Sequence, residues 1–502
     1  MKTLRLTFIA GWAFVFAGAS QAQGHGSDDP YAATDRILEE FRLDAHIPGL
    51  VYGVVKEGRL VHVATFGVQD IESKRPVTPD TLFNIASMTK AFTALTVLKL
   101  RDNGRLRLDA LAEEYVPQLR GSKYPTADSP RIRVRDLLGH VGGFVSDDPW
   151  ADLQTFMQES DFTHLLKERL PFTRAPGSAF EYSNVGYALL GRIITNASRR
   201  PFAETIQGEI LRPLGMTSSG FVAHKASAER RALGYRWEDD AWKLEPLLGH
   251  GAFDPIGGLE TSANDYAKWV AFLLSAWPPR DDPDSGPVKR ATVRELAVPT
   301  SVLRSRQRPS GTSGGGCQQP ASYSYGLNIT IDCEVGLNLS HGGGYPGYGS
   351  HMLLFPERGV GLFVFTNRTY AGPIAPLWDA AMTLFEAGEL GEVPDAAVSE
   401  SLSRAYRAAA AIYTAGTISA GGDALAMKVL IDHRDADHWS RDLATLKAGS
   451  GDCDTSAPVR STGALSGIFT WRCAHGRIQG SIGLSPDTPP RIQSLSLAPF
   501  NP

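Results

Sequence analysis

The chain carries only four cysteines in 502 residues, Cys317, Cys333, Cys453 and Cys473. None falls in a CxxC pair, which sets aside zinc-ribbon and thioredoxin-like readings. After the N-terminus no apolar run is long enough to span a bilayer. Long basic blocks are missing too, and the formal net charge is -4. That sets aside proteins held by charge on nucleic acid or on an acidic membrane surface. What remains is an ordinary globular composition, at a length that favours two folded units.

The N-terminus has the order of an export signal. Lys2 and Arg5 precede a mostly apolar stretch, Leu6 to Phe16, and Ser20-Gln21-Ala22 supplies small residues for cleavage. Residues 1–22 are therefore read as a signal peptide, 23–30 as a polar linker, and the product as secreted or periplasmic. The cysteines suit that compartment. Four cysteines allow three pairings. Joining sequence neighbours, Cys317–Cys333 and Cys453–Cys473, keeps each bridge inside one unit. Each then closes a loop of about 15 to 20 residues, contributing roughly 3 kcal/mol.

The pattern along the chain predicts a mixed α/β (α+β) fold. A helix is expected over Tyr31–Arg42, then a hairpin over Val51–Phe66 turning at Glu57-Gly58. The clearest helix runs from Ser87 to Asn103, with Gly104 after its end. Residues 105–275 read as mainly helical, with the best helices around Leu137, Leu189 and Trp269. Arg304–Pro320 reads as a Gly/Ser-rich loop. Strands follow over 327–332, 335–340, 350–355 and 360–366, then a helix over 378–387. The early and late strands are expected to share one antiparallel sheet with helices on its faces. That unit covers 31–388. An acidic linker with Pro394, residues 389–400, leads to a small α+β unit, 401–502, of cystatin-like pattern.

Three short motifs carry chemistry. In Ser87-Met88-Thr89-Lys90 a helix puts residues three apart on one face, so Lys90 Nζ reaches Ser87 Oγ. A serine hydroxyl needs a base before it attacks, and a lysine in a suitable environment supplies one. The helix N-terminus adds N–H groups that favour an oxyanion. An N-capping serine beside a solvated lysine is the structural alternative. In Tyr182-Ser183-Asn184 the tyrosine is a candidate proton shuttle. Asn184 is a candidate to bond a substrate carbonyl and steady the lysine. In His341-Gly342-Gly343-Gly344 the glycines let a substrate lie along the strand edge. There Gly344 N–H is the candidate second oxyanion donor after Ser87 N–H. Gly343 and His341 are expected to contact substrate, His341 through a carboxylate or through the Tyr182 hydroxyl.

In that order the motifs resemble those of the serine β-lactamase and penicillin-binding protein superfamily. The Tyr-x-Asn form is similar to class C β-lactamases and their relatives, the D-alanyl-D-alanine carboxypeptidases, D-aminopeptidases and family VIII esterases. Flanking words agree: Asn84-Ile85-Ala86, Arg135-Asp136-Leu137-Leu138-Gly139-His140, Pro213-Leu214-Gly215-Met216 and Gly257-Gly258-Leu259. The resemblance covers about residues 31–388. It implies a sheet-and-helix domain with a helical subdomain and the site between them. One departure stands out. Class C β-lactamases carry Lys-Thr-Gly as third motif, where this chain has His341-Gly342-Gly343. That favours a peptidase or esterase over a β-lactamase, with a partly charged His341 as the remaining cation.

Other features are set aside. Gly311-Thr312-Ser313-Gly314-Gly315 matches a nucleophile elbow but lacks the strand and helix that an elbow needs. His433, Asp435, Asp437 and His438 show no ordered metal-ligand spacing. Trp237, Trp242 and Trp269 read as packing residues, with Trp237 also placed to line a cleft. The expectation is an exported serine hydrolase working through an acyl-enzyme on a peptide, amide or ester, without metal or organic cofactor. A β-lactamase, or an inactive ligand-binding protein of the same fold, is the alternative. The partner is a small-molecule or peptide substrate, without nucleic acid or a membrane span.

Overall fold

The computed structural model describes residues 29–146, 152–168, 170–221, 229–280, 282–309, 316–393, 397–427 and 434–500. The export-signal reading, Pro394, Ser313 and His433 lie outside them.

Helix α1 (Pro30–Asp44) starts at Asp29, whose side chain accepts the Tyr31 N–H, with proline in its first turn. Strands β1 (Gly49–Lys56) and β2 (Arg59–Asp70) form the expected hairpin. Its turn residues Glu57 and Gly58 both have positive φ, at 53° and 71°, as a tight two-residue hairpin requires. Seven of the eight residues of β1 are buried. Its unbroken apolar run reflects a central strand covered on both faces.

Helix α2 (Thr89–Asp102), helix α3 (Asn184–Ser198) and helix α4 (Ala263–Leu274) belong to the helical layer. Strands β3 (Asn328–Asp332), β4 (Gly336–Tyr345), β5 (Tyr348–Phe355) and β6 (Val360–Thr366) then complete the sheet. Helix α5 (Ile374–Glu386) follows. The sheet has nine strands in the order Arg75–Pro76, β2, β1, β6, β5, β4, β3, Ala321–Tyr323, Ser301–Val302. Early and late strands meet at β1 and β6, antiparallel from Leu50↔Thr366 to Lys56↔Val360.

Alternation along β1 decides which layer each side chain joins. Leu50, Tyr52 and Val54 pack with Leu38 of α1 and Leu377 of α5. Val51 and Val55 face the larger core, shared with Phe92, Trp269, Phe363 and Phe365. Trp269 is fully buried and stacks on Phe92 at 3.8 Å between ring centroids. Trp237 and Trp242 are packing residues, as read. Trp237 stacks on His46 at 4.2 Å, and Trp242 Nε1 donates to the His46 carbonyl, fixing a short hairpin beside α1.

The stretch read as a loop, Arg304–Pro320, instead contains paired strands, Arg306–Pro309 and Gly316–Gln319. Long-range ties hold it. Cys317 is bonded to Cys333. Arg308 spans Asp332 and Glu334, with contacts of 2.7 Å to each. The disulfide and the Arg308 ion pair also account for the cluster of Cys317, Asp332 and Cys333, a grouping that resembles a metal site.

Helix α6 (Glu400–Ala415) and helix α7 (Ala436–Ser450) pack on a second sheet. It orders Cys453–Asp454, β7 (Ser466–Cys473), β8 (Arg477–Leu484) and β9 (Ile492–Pro499), with Arg460–Gly463 paired to β7. Its core, including Ile412, Trp471, Ile478 and Ile492, shares no residue with the other two. Cys453 is bonded to Cys473. Asp435 caps α7 by accepting the His438 N–H at 2.7 Å, which accounts for one member of the His/Asp cluster.

Candidate active site

Ser87 lies in a single 3₁₀ turn, Ala86–Met88, that runs into α2. The residue before it, Ala86, is held at a φ of 49°, a region that alanine rarely adopts. Two bonds impose it. The Asn84 side chain accepts the Ala86 N–H at 2.7 Å, and Ser350 Oγ of β5 donates to the Ile85 carbonyl at 2.8 Å. The turn leaves Ser87 partly exposed while its neighbours are buried. Its N–H belongs to a helical first turn, where donors lack intrahelical partners.

Lys90 is 0% exposed, so the solvated-lysine alternative is excluded. Its Nζ stands 3.0 Å from Ser87 Oγ and 2.7 Å from the Ile256 carbonyl. The same segment is tied to α2 by Thr93 Oγ1, which donates to the Pro255 carbonyl, and by Leu259 N–H, which donates to Thr89 Oγ1. That is the structural role of the word Gly257-Gly258-Leu259.

Tyr182 is partly exposed, and its ring centroid lies 5.0 Å from Lys90 Nζ. Ser183 caps α3 by accepting the Gly186 N–H, and Asn184 opens that helix, 3% exposed. Sequence reasoning missed His140 as part of this site. Its carbonyl accepts the Glu181 N–H at 2.8 Å. Its Nδ1 accepts the Ser183 N–H at 3.0 Å, so the ring proton is on Nε2. The imidazole also lies against the Tyr182 ring at 4.3 Å. His140 thus grips the chain on both sides of Tyr182 and its ring as well. Burial, and then the charge of Lys90, hold its pKa well below the ordinary 6.5, so the ring stays neutral. The available signal was its place in the word Arg135–His140. Tyr187 was missed too. It is buried with its ring 5.6 Å from Lys90 Nζ, and its hydroxyl donates to the Leu138 carbonyl.

His341, Gly343 and Tyr345 are buried alternate residues of β4 on the helical side. His341 is held by two bonds, to the Gly342 carbonyl (Nδ1, 2.6 Å) and to the Tyr323 hydroxyl (Nε2, 3.2 Å), and its ring centroid lies 6.3 Å from that of Tyr182. Because a carbonyl only accepts, Nδ1 carries the proton and Tyr323 donates to Nε2. The expected partial charge of His341 is corrected. Burial first, then Lys90, push the His341 pKa down to about 3, so the ring is neutral. Gly343 also packs against the Ser87 turn. A Cβ there would collide with Ser350 Oγ and the Ile85 carbonyl. Its missing side chain makes room for the turn that carries Ser87. A Cβ at Gly344 would stand 2.5 Å from the Tyr370 ring.

The described residues thus bring Ser87, Lys90 and Tyr182 together, with Asn184 beginning the next helix and β4 holding the Ser87 turn. The chain is similar to Protein flp of Staphylococcus aureus, 28% identical over 348 residues, covering 68% of this chain and 64% of that one. It is also similar to a D-aminopeptidase of Gluconobacter oxydans, 27% identical over 335 residues, covering 65% and 57%. The chain therefore matches less than two thirds of the length of these relatives. Among solved structures, an octameric penicillin-binding protein homologue from Pyrococcus abyssi shares the fold with a TM-score of 0.59 at 21% identity. That likeness covers 94% of this chain and 98% of the other. The family described as Beta-lactamase matches residues 34–386, and the chain belongs to that family.

Proposed function

We propose that the protein is an exported serine hydrolase that transfers an acyl group through Ser87. The observation that carries this reading is Lys90 Nζ, fully buried and 3.0 Å from Ser87 Oγ. Ser87 Oγ attacks a substrate carbonyl as its proton passes to Lys90, once that amine has released its own proton, with Tyr182 assisting. The N–H groups of Ser87 and Gly344 hold the oxyanion. Tyr182 protonates the leaving group, and in the second step it deprotonates the water that frees the acyl group. Asn184, Gly343 and His341 line the substrate path. The two disulfides suit export.

The substrate is a peptide or amide with a D-residue, or a small ester. Two things support that choice over a β-lactam: the likeness to a D-aminopeptidase, and a neutral His341 where a β-lactamase has a lysine. A neutral ring gives up the charge that draws a β-lactam carboxylate. Turnover is measured on D-alanyl peptides, p-nitrophenyl esters and a cephalosporin. The expected result is turnover of one of the first two, lost by at least about a thousandfold in Ser87→Ala. A Ser87→Ala protein that keeps most of its activity rejects the reading.

A further inference from the structure

A cavity lies on the opposite face of the sheet from Ser87. Along β4, Asn338, Ser340 and Gly342 line it, while His341 and Gly343 point to the other layer. Its volume is about 740 Å³, within the range of small-molecule sites. Leu353 of β5 and Trp378 and Met382 of α5 form apolar walls.

Two lining side chains are buried yet unsatisfied. Asn338 is 2% exposed and His351 is 7% exposed. Asn338 Nδ2 and His351 Nδ1 have no hydrogen-bond partner among the described residues. Buried polar atoms are rarely left so, and a cavity beside them is where a partner fits. Their chemistry narrows that partner. Asn338 Nδ2 is a donor and calls for an acceptor oxygen. Burial pushes the His351 pKa down to about 4, so this imidazole is neutral. Arg306, Arg308, Asp379 and Glu386 line the cavity further out, and Arg308 is already paired with Asp332 and Glu334 and lies 5.6 Å from the Trp378 ring. A charged group set against Asn338 and His351 would be desolvated between two neutral side chains.

We propose that this cavity is a second binding site, separate from Ser87, for an uncharged carbonyl compound with a flat apolar body. The carbonyl oxygen accepts from Asn338 Nδ2, with His351 alongside, and the apolar body lies between Leu353, Trp378 and Met382.

The probe is prodan, an uncharged dimethylaminonaphthalene ketone whose emission shifts to the blue on leaving water. It is titrated into the full chain and three variants. Ala375→Trp plugs the cavity mouth from an exposed position on α5, so its folding is safe. Asn338→Leu removes the donor. Ser87→Val narrows the other face. Saturable one-to-one binding is expected, with Kd raised at least about tenfold by Ala375→Trp and Asn338→Leu and unchanged by Ser87→Val. Absence of saturable binding overturns the proposal. So does binding that Ala375→Trp leaves intact, or that Ser87→Val abolishes. None of these readings depends on turnover, so the site and the proposed acyl transfer fail independently.

Discussion

At the scale of single residues, the histidines divide the work in a way the sequence shows only in part. His341 was legible as part of a motif, while its bond to Tyr323 was not, because Tyr323 comes from a separate strand 18 positions earlier. His140 was legible only as part of a flanking word, since its contacts with Tyr182 and Ser183 cross 42 and more residues of chain. It is a positioning residue, and its φ of 54° is one that asparagine tolerates. His140→Asn keeps an acceptor where Nδ1 stands. It should hold kcat within about tenfold, while His140→Leu loses about a hundredfold with KM little changed. Equal kcat in both variants contradicts the role. A pH effect follows from burial. His140, His341 and His351 all have lowered native pKa values, so the unfolded chain binds protons that the native chain refuses. Stability is then complete above about pH 6.5 and falls as pH drops, by up to about 1.4 kcal/mol per pH unit for each histidine. Urea unfolding at pH 7 and pH 5 measures it, and His351→Asn should flatten the dependence. An unchanged midpoint between the two pH values contradicts the account.

At the scale of elements, the turn before α2 and the strand β4 form one device. Gly343 gives the Ile85 carbonyl and Ala86 room against the strand, and Ser350 ties the turn down from β5. Gly343→Ala should therefore displace Ser87 and cut kcat at least about tenfold, with secondary structure by circular dichroism unchanged. Wild-type kcat in that variant would show that the close approach is unimportant. Elements with strong local signals were legible: α2 from its apolar spacing and Gly104, and the first hairpin from Glu57-Gly58. The paired strands within Arg304–Pro320 were not. The glycines and serines of the sequence between them read as a loop, and the Cys317–Cys333 bond with the Arg308–Asp332 pair ties the strands down from outside the segment.

For the whole molecule, three cores of the described residues are built on the two larger sheets. The large sheet separates two of them, and the third belongs to residues 400–499 alone. The shared antiparallel sheet was legible because early and late strands both read as apolar runs. The layer each face joins was legible only through the pairing of β1 with β6. Because the third core is separate, loss of its disulfide acts locally. A Cys453→Ser, Cys473→Ser double variant should lower the stability of that unit by roughly 3 kcal/mol. Calorimetry should show one transition shifted and the transition of the large unit in place. A common shift of both contradicts separate cores. The central claim is that Ser87 becomes acylated with Lys90 as its base. Intact-mass spectrometry after mixing with a p-nitrophenyl ester tests it most directly. The account predicts an adduct of one acyl group on the peptide containing Ser87, absent in Ser87→Ala and formed far more slowly in Lys90→Met. An adduct elsewhere, or acylation at the same rate in Lys90→Met, contradicts it.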